Sequence, residues 1–305
     1  MNPRFLLFFI GIMSISLLLC DDANCAKKRL LIGSPIRQKP AILHEFLQSL
    51  QEIDTDSFCA DYFFIDDNTN PDSIQILYDF SAKNSNCLIA KPTQNPVANT
   101  LIDAYTCDEN THYWHDAIIW KVAGFKDFII NYALQNNYDY LFLIDSDIVL
   151  HPKTLDNLIS TNKDIISNVF WTQWQPGYQK LPQVWYYDEY KQYLVMPGEK
   201  LKPEEILARQ NQFLQLIATP GTYEVGGLGA CTLINKKALE KGVNFKKIKN
   251  ITFWGEDRHF CIRASALGID LFVNTEYPAY HIYRETDLDG VSIFKENCLK
   301  NIYQM

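Results

Sequence analysis

The stretch from Tyr140 to Leu150 reads YLFLIDSDIVL, an apolar run that two acids, Asp145 and Asp147, interrupt. Four apolar residues before the first acid predict a buried strand that carries both acids at its end. Strand alternation would place the two carboxylates on the same side and turn Ser146 away. Two carboxylates this close favour a hard divalent cation with oxygen ligands, such as Mg²⁺ or Mn²⁺. The bare pattern D-x-D is a weak signal, because most instances are solvated turns.

The segments around this stretch predict how it is embedded. From Arg29 to about Asp164, short β-rich runs alternate with helical periodicity, which is typical of βαβ units around a parallel sheet. RLLIGSP predicts the first strand, and an amphipathic helix begins at Pro40. Beyond Asp164, further strands and helices follow, and the last strand ends at His281. We therefore predict an α/β fold in a single domain, with a mostly parallel central sheet flanked by helices.

The composition restricts the function. With 47% hydrophobic residues, the chain can bury a large core. A formal net charge of −8 argues against a protein that holds polyanions by bulk attraction, so we expect no nucleic acid partner. The cysteines are scattered and contain no CxxC pair that would suggest zinc, and their disulfide pairing stays open.

The N-terminus predicts a targeting segment. MNPR precedes the apolar run FLLFFIGIMSISLLLC, and small residues spaced for cleavage follow. We expect a signal peptide over residues 1–25, or a short N-terminal anchor that associates with a membrane. Either interpretation places the protein in the secretory pathway or exports it, and leaves residues 26–305 as the folded domain.

Acids also stand at other expected strand ends and at a helix start. Asp66 and Asp67 follow the second predicted strand, and ligands of open parallel sheets bind outside the carboxyl ends of strands. Glu256 and Asp257 open the helix in WGEDRHF, where acids also favour the helix dipole without any further role.

Five segments follow one another in a characteristic order: LLIGSPIRQKPAILHEFLQSL, FFIDDNTNPDS, YLFLIDSDIVLHP, VGGLGACTLINKKALEKG and WGEDRHFCIRASALGIDLFVNT. Together they resemble the GT-A glycosyltransferases, in particular the broad family 2 type, over nearly all of Arg29 to Glu285. The C-terminal part, in which VGG, a strand, NF and a terminal HIY follow one another, is also similar to Golgi mannan mannosyltransferases. The stretch from Trp171 to Leu214 has no recognisable counterpart in the family.

The resemblance implies a GT-A fold with a nucleotide-binding half (29–152) and an acceptor and catalytic half (153–285). It implies a UDP- or GDP-sugar donor, held through its diphosphate by Mn²⁺ or Mg²⁺, and a glycan, lipid or protein acceptor. Asp147 would bind the metal directly, Asp145 would bind it through water or bind the donor ribose, and His281 would be a third ligand. Asp257 would be the general base of an inverting transfer, with Glu256 binding the acceptor or exchanging roles.

Position along the chain also predicts which residues contact the nucleotide sugar. The residues expected at the nucleotide sugar are Pro35, Arg37, Asp66, Lys121, Asp145, Ser146 and Gly227. Lys126 is the alternative to Lys121, although an ordinary surface charge explains each lysine slightly better. Gly227, with Gly226, would let backbone approach a ligand closely, or would form a plain turn.

Two other functions remain open at this point. A sugar nucleotidyltransferase also binds metal to acids at strand ends, but LIGSPIRQKP lacks the Gly-rich, basic signature expected after its first strand. A catalytically inactive carbohydrate-binding protein on the same scaffold would not require Asp145, Asp147, Asp257 and His281 together.

Overall fold

The computed structural model describes residues 27–92, 106–107, 112–252 and 255–300. The expected N-terminal signal or anchor lies outside these residues. Within the described ranges, no helix is long and apolar enough to cross a membrane. The described cysteine side chains are free thiols, at Cys59, Cys87, Cys231, Cys261 and Cys298.

Strands and helices alternate along most of the chain. The described strands are β1 (Lys28–Ile36), β2 (Phe58–Asp66), β3 (Cys87–Ala90), β4 (Thr106–Cys107), β5 (His112–Tyr113), β6 (Tyr140–Ile144), β7 (Ile148–Val149), β8 (Ile165–Thr172), β9 (Leu181–Pro182), β10 (Thr222–Val225), β11 (Cys231–Asn235) and β12 (Leu271–His281). The described α-helices are α1 (Pro40–Gln51), α2 (Pro71–Lys83), α3 (Asp116–Gln135), α4 (Thr154–Ser160), α5 (Pro203–Ile217), α6 (Lys236–Glu240), α7 (Glu256–Ala266) and α8 (Val291–Lys300). A 3₁₀ helix, Glu285–Gly290, precedes α8.

The central sheet has the strand order β10-β12-β8-β11-β6-β1-β2-β3. Strands β3, β2, β1 and β6 are parallel to one another. Strand β11 runs antiparallel between β6 and β8, whereas β8 and β12 are parallel. The sheet is therefore open and mostly parallel, which confirms the predicted fold class.

Helices cover both faces of this sheet, because successive strand residues point to opposite sides. On β1, Leu30 and Ile32 join the core under α1, while Leu31 joins the core under α3. The amphipathic stripe predicted for α1 is buried at each of its apolar positions. Because β1, β2 and β6 are parallel, their carboxyl ends meet at one edge of the sheet.

The path of the chain at the two acids differs from the prediction. Strand β6 ends at Ile144, so Asp145, Ser146 and Asp147 lie in a turn and not on the strand. The Ile148 amide closes this turn by donating to the Asp145 carbonyl at 3.3 Å. The prediction that strand alternation sets Asp145 and Asp147 on one side is therefore wrong. The turn exists because the chain leaves β6 to form β7, which pairs with the end of β12.

Candidate active site

The first group in the site is a carboxylate and an imidazole. Antiparallel pairing of β7 with β12 sets His281 opposite Ile148, one residue beyond Asp147. As a result, His281 Nε2 lies 3.6 Å from Asp147 Oδ1. The Thr172 hydroxyl lies 2.7 Å from His281 Nδ1 and so fixes the orientation of the ring. The structure thus brings together Asp147 and His281, which the sequence predicted as metal ligands.

These two side chains fit a divalent cation. Ligand atoms of one Mg²⁺ each lie about 2.0–2.1 Å from the ion, so two atoms 3.6 Å apart can both reach it. A carboxylate oxygen combined with an imidazole nitrogen also suits Mn²⁺. Within the described ranges, no three or more His, Cys, Asp or Glu side chains converge as a complete ligand set. Asp145 in particular is directed elsewhere, toward Lys126.

The second group is built around a buried lysine. Lys126 extends from α3, and its ammonium lies 2.9 Å from Glu256 Oε1 and 3.1 Å from Asp257 Oδ1 at the start of α7. Its distance to Asp145 Oδ1 is 3.8 Å. The residue is only 2% exposed. The interpretation of Lys126 as an ordinary surface charge is therefore wrong, because it is the shared counter-ion of three carboxylates.

Charge and burial shift the titration of this cluster. Burial lowers the pKa of Lys126, but the charges of Asp145, Asp257 and Glu256 outweigh burial and hold that pKa well above its usual value. Burial raises the pKa of Asp257, and Lys126 opposes this while Glu256 and Asp145 add to it. Burial raises the pKa of Asp145 to about 6, and Lys126 opposes this while the charges of Asp147 and Glu256 add to it.

Asp145, Asp257 and Lys126 line one small cleft together with Gly229 and Ala230. Asp145 is fixed there because its amide donates to the Ala230 carbonyl at 2.9 Å, beside β11. Gly229 makes room for the Asp257 carboxylate, since a Cβ atom at this position would lie 2.1 Å from Asp257 Oδ2. Sequence reasoning missed Gly229, although it is the third glycine of VGGLG.

Gly227, expected at the nucleotide sugar, has a different neighbour. A Cβ atom there would overlap the Trp185 indole, at 1.9 Å from the nearest ring atom. The Gly227 amide donates to the Trp185 carbonyl, and its carbonyl accepts from the Trp185 amide, both at 3.1 Å. The close approach predicted for this glycine is therefore made by the protein's own tryptophan.

The expected nucleotide side lies at the ends of β1 and β2. Asp66 is buried, and its Oδ1 accepts from the Asn68 amide at 3.1 Å. Arg37 Nη1 and Lys121 Nζ approach the two carboxylate oxygens of Asp67, at 3.7 and 2.9 Å. Both basic residues thus lie beside an acid that the site prediction did not include.

The other two residues expected at the nucleotide sugar are Pro35 and Ser146. Pro35 lies on β1 opposite Ile65 of β2, one residue before the strand ends. Ser146 is buried in the turn between Asp145 and Asp147. Both positions belong to the sheet edge where the parallel strands end.

Comparison with known proteins gives distant structural matches only. No protein-family model and no curated protein matches the chain. Among solved structures, it is similar to the mannosyltransferase PcManGT from Pyrobaculum calidifontis in complex with GDP-Man and Mn²⁺, with a TM-score of 0.49 and 11% identity over 90% of this chain and 63% of that one. It is also similar to S. aureus TarS in complex with UDP, with a TM-score of 0.47 and 14% identity over 91% of this chain and 67% of that one. This chain therefore spans less than two thirds of the length of the P. calidifontis protein.

Proposed function

We propose that this chain is a metal-dependent glycosyltransferase, which moves a sugar from a UDP- or GDP-sugar to an acceptor hydroxyl. The observation that supports this best is that two clusters of side chains lie at one end of the sheet. In the first, the Asp147 carboxylate lies beside the His281 imidazole. In the second, the carboxylates of Glu256 and Asp257 share the Lys126 ammonium. Asp145 joins them, because it is two residues from Asp147 and lines a cleft with Asp257.

The first group would hold the donor. Mn²⁺ or Mg²⁺ bound at Asp147 and His281 would stabilise the negative charge of the departing nucleoside diphosphate. Asp145 is available for the donor ribose or for a water on the cation. Asp66, Pro35, Arg37, Lys121 and Ser146 are proposed to line the nucleotide, on the basis of their positions at the ends of β1, β2 and β6.

The second group would activate the acceptor. In an inverting transfer, the acceptor oxygen forms a bond to the anomeric carbon while the bond from that carbon to the diphosphate oxygen breaks. The acceptor proton passes to an Asp257 carboxylate oxygen, and the electron pair of the broken bond leaves with the diphosphate. A raised pKa makes Asp257 a stronger base near neutral pH than an exposed aspartate. Glu256 shares the Lys126 ammonium and is proposed to bind the acceptor.

The predicted N-terminal segment bears on where this reaction takes place. We propose that the protein acts in the secretory pathway or after export, at a place supplied with nucleotide sugars. A Golgi-type lumen, entered through a short anchor, satisfies both conditions.

A screen of UDP- and GDP-sugars for Mn²⁺-dependent cleavage tests the function. We expect one donor to be hydrolysed or transferred with Mn²⁺ and to stay intact with a chelator. Asp147→Ala should abolish this cleavage, whereas Asp79→Ala, at an exposed position of α2, should retain it. The proposal fails if the wild-type protein neither binds nor cleaves any nucleotide sugar when metal is present.

A further inference from the structure

A segment without a counterpart in the resemblance lies next to both groups of the site. We call residues 171–193, WTQWQPGYQKLPQVWYYDEYKQY, the aromatic strap. Its start is attached to the end of β12, since Thr172 contacts His281 and Arg284 donates to the Gln173 and Trp174 carbonyls at 2.7 and 2.9 Å. The strap therefore begins beside the proposed cation site.

The far end of the strap is a tight turn with an unusual backbone. The Tyr187 amide donates to the Lys191 carbonyl at 2.9 Å, and the Lys191 amide donates back at 3.0 Å. Between them, Glu189 and Tyr190 have φ angles of 56° and 59°. L-residues with bulky side chains rarely adopt this left-handed conformation, so the surroundings must hold it in place.

Arg258 holds the turn, and it directly follows the proposed base in sequence. Its guanidinium is buried, and its Nε donates to Asp188 Oδ1 at 3.0 Å. It also donates to the Thr252 carbonyl, and the Thr252 hydroxyl donates to Glu189 Oε1 at 3.1 Å. The first turn of α7 and the turn of the strap are thus joined by charge-assisted hydrogen bonds.

This attachment puts Tyr190 next to the acid pair. A Cβ atom on Gly255, the residue before Glu256, would lie 3.1 Å from the Tyr190 hydroxyl oxygen. One side of the tyrosine ring is supported by Trp185, at 4.4 Å between ring centroids. Tyr190 nevertheless stays 38% exposed. Burial raises the pKa of its hydroxyl, and the charges of Asp257 and Glu256 raise that pKa further.

We propose that Tyr190 binds the acceptor of the glycosyltransferase proposed above, and that this acceptor is a carbohydrate. The exposed tyrosine ring offers a flat apolar surface to the C–H face of a sugar ring, while the neighbouring Glu256 and Asp257 accept hydrogen bonds from its hydroxyls. An aromatic surface beside a few convergent polar groups is the usual composition of a small polar ligand's site. A lipid acceptor would instead need a continuous apolar groove, but glutamines that reach the surface lie among the aromatic residues of the strap, at Gln173, Gln175 and Gln179.

The backbone at Tyr190 offers a variant that removes the ring without strain. Tyr190→Gly is suited to a φ of 59°, so we expect it to fold as well as the wild type. Tyr190→Phe keeps the ring and loses only the hydroxyl. Tyr178→Ala is a matched control, because Tyr178 lies on the same strap and is 68% exposed.

Two measurements on the full chain test the inference. In the first, methyl hexopyranosides and short oligosaccharides are titrated and bound saccharide is followed by tryptophan fluorescence, which needs no donor. In the second, acceptor KM and donor hydrolysis without acceptor are measured with the donor found active. For Tyr190→Gly we expect saccharide binding and acceptor KM to weaken at least tenfold, with donor hydrolysis within twofold of the wild type. Tyr190→Phe should lose less than threefold, and Tyr178→Ala should match the wild type.

The outcomes separate this inference from the proposed function. Saccharide binding that depends on Tyr190, in a protein that cleaves no nucleotide sugar, would support the binding role of Tyr190 and refute the transferase. Donor cleavage with an acceptor KM that Tyr190→Gly leaves unchanged would support the transferase and overturn the inference. Transfer to a peptide or lipid, with no saccharide bound or used, would overturn it as well.

Discussion

The ammonium of Lys126 lies 3.1 Å from the carboxylate of Asp257, although 131 positions separate the two residues in sequence. The lysine extends from the middle of α3 and the aspartate from the first turn of α7, and the lysine is buried almost completely. An ion pair of this kind gives little net stability, but removing one partner leaves an uncompensated buried charge. Lys126 therefore holds the acid pair of α7 in place.

Replacing Lys126 should destabilise the protein in a pH-dependent way. We expect Lys126→Met to lose about 3–5 kcal/mol of unfolding free energy at pH 7.5, because Asp257, Glu256 and Asp145 lose their counter-ion. Without Lys126 the folded-state pKa values of Asp257 and Asp145 rise further above their unfolded values, so stability falls as pH rises through them. The loss should shrink at pH 5, where these carboxyls take up protons. Urea denaturation at both pH values, in chelator, measures this.

A matched control for that experiment is Lys83→Met, at an exposed position of α2, which should stay within about 0.5 kcal/mol of the wild type. An equal loss for Lys126→Met at pH 7.5 and pH 5 would contradict the ion-pair explanation and point to lost packing alone.

Gly229 should be intolerant of a side chain. A Cβ atom at this position would lie 2.1 Å from Asp257 Oδ2, so Gly229→Ala must displace the proposed base. A displacement of about 1 Å costs on the order of 100-fold in rate, and we expect sugar transfer to fall by at least that factor. Gly124→Ala, where no atom lies within 4 Å of the new Cβ, is the control and should transfer at the wild-type rate. Full activity of Gly229→Ala would refute the assignment of Asp257.

His281 should contribute to cation affinity. We expect His281→Ala to weaken Mn²⁺ binding at least about tenfold, and Thr172→Val to weaken it less, because Thr172 only orients the ring. Loss of the free Mn²⁺ signal in electron paramagnetic resonance measures binding without any substrate. His44→Ala, at an exposed position of α1, should bind as the wild type. Equal Mn²⁺ affinity in His281→Ala and the wild type would remove His281 from the site.

His151 should make the fold sensitive to acid. Burial lowers the pKa of His151 to about 4, from 6.5 in an unfolded chain. Between these values the unfolded state binds more protons, so stability is complete above pH 6.5 and falls as pH drops toward 4. The slope contributed by one histidine is up to about 1.4 kcal/mol per pH unit.

Comparison with His151→Asn isolates that contribution. The asparagine oxygen can replace Nδ1 as the acceptor of the Lys153 amide, which now donates at 3.0 Å, but it does not titrate. Denaturation from pH 4.5 to 7.5 should give a shallower slope for the variant. Parallel curves would assign the acid sensitivity to other groups.

Much of the fold was predictable because its signals are local. The stripe of α1 and the apolar runs of β1 and β2 depend on spacing within a few residues. His281 was also found at the end of its strand. The turn at Asp145 was not, because its cause is the pairing of Ile148 with a strand far along the chain. In the same way, nothing near Lys126 in sequence indicates that it is buried or that it pairs with three carboxylates.

The strap was the least predictable part of the site. It lies in a stretch without a recognisable counterpart in the family, and the positive φ angles at Glu189 and Tyr190 contradict local preference and exist through contacts with Arg258. The neighbour of Gly227 was unpredictable for a related reason, since the space that this glycine leaves accommodates a tryptophan from the strap.

The short pairing of β7 with β12 has a consequence for the order in which the protein matures. Asp147 is synthesised before His281, and the two meet only when β12 docks beside β7. A nascent chain still missing β12 holds the acids but has no imidazole beside them, so it cannot offer this pair to a cation. Because a domain generally folds as a unit, the proposed cation pair forms only together with the complete sheet.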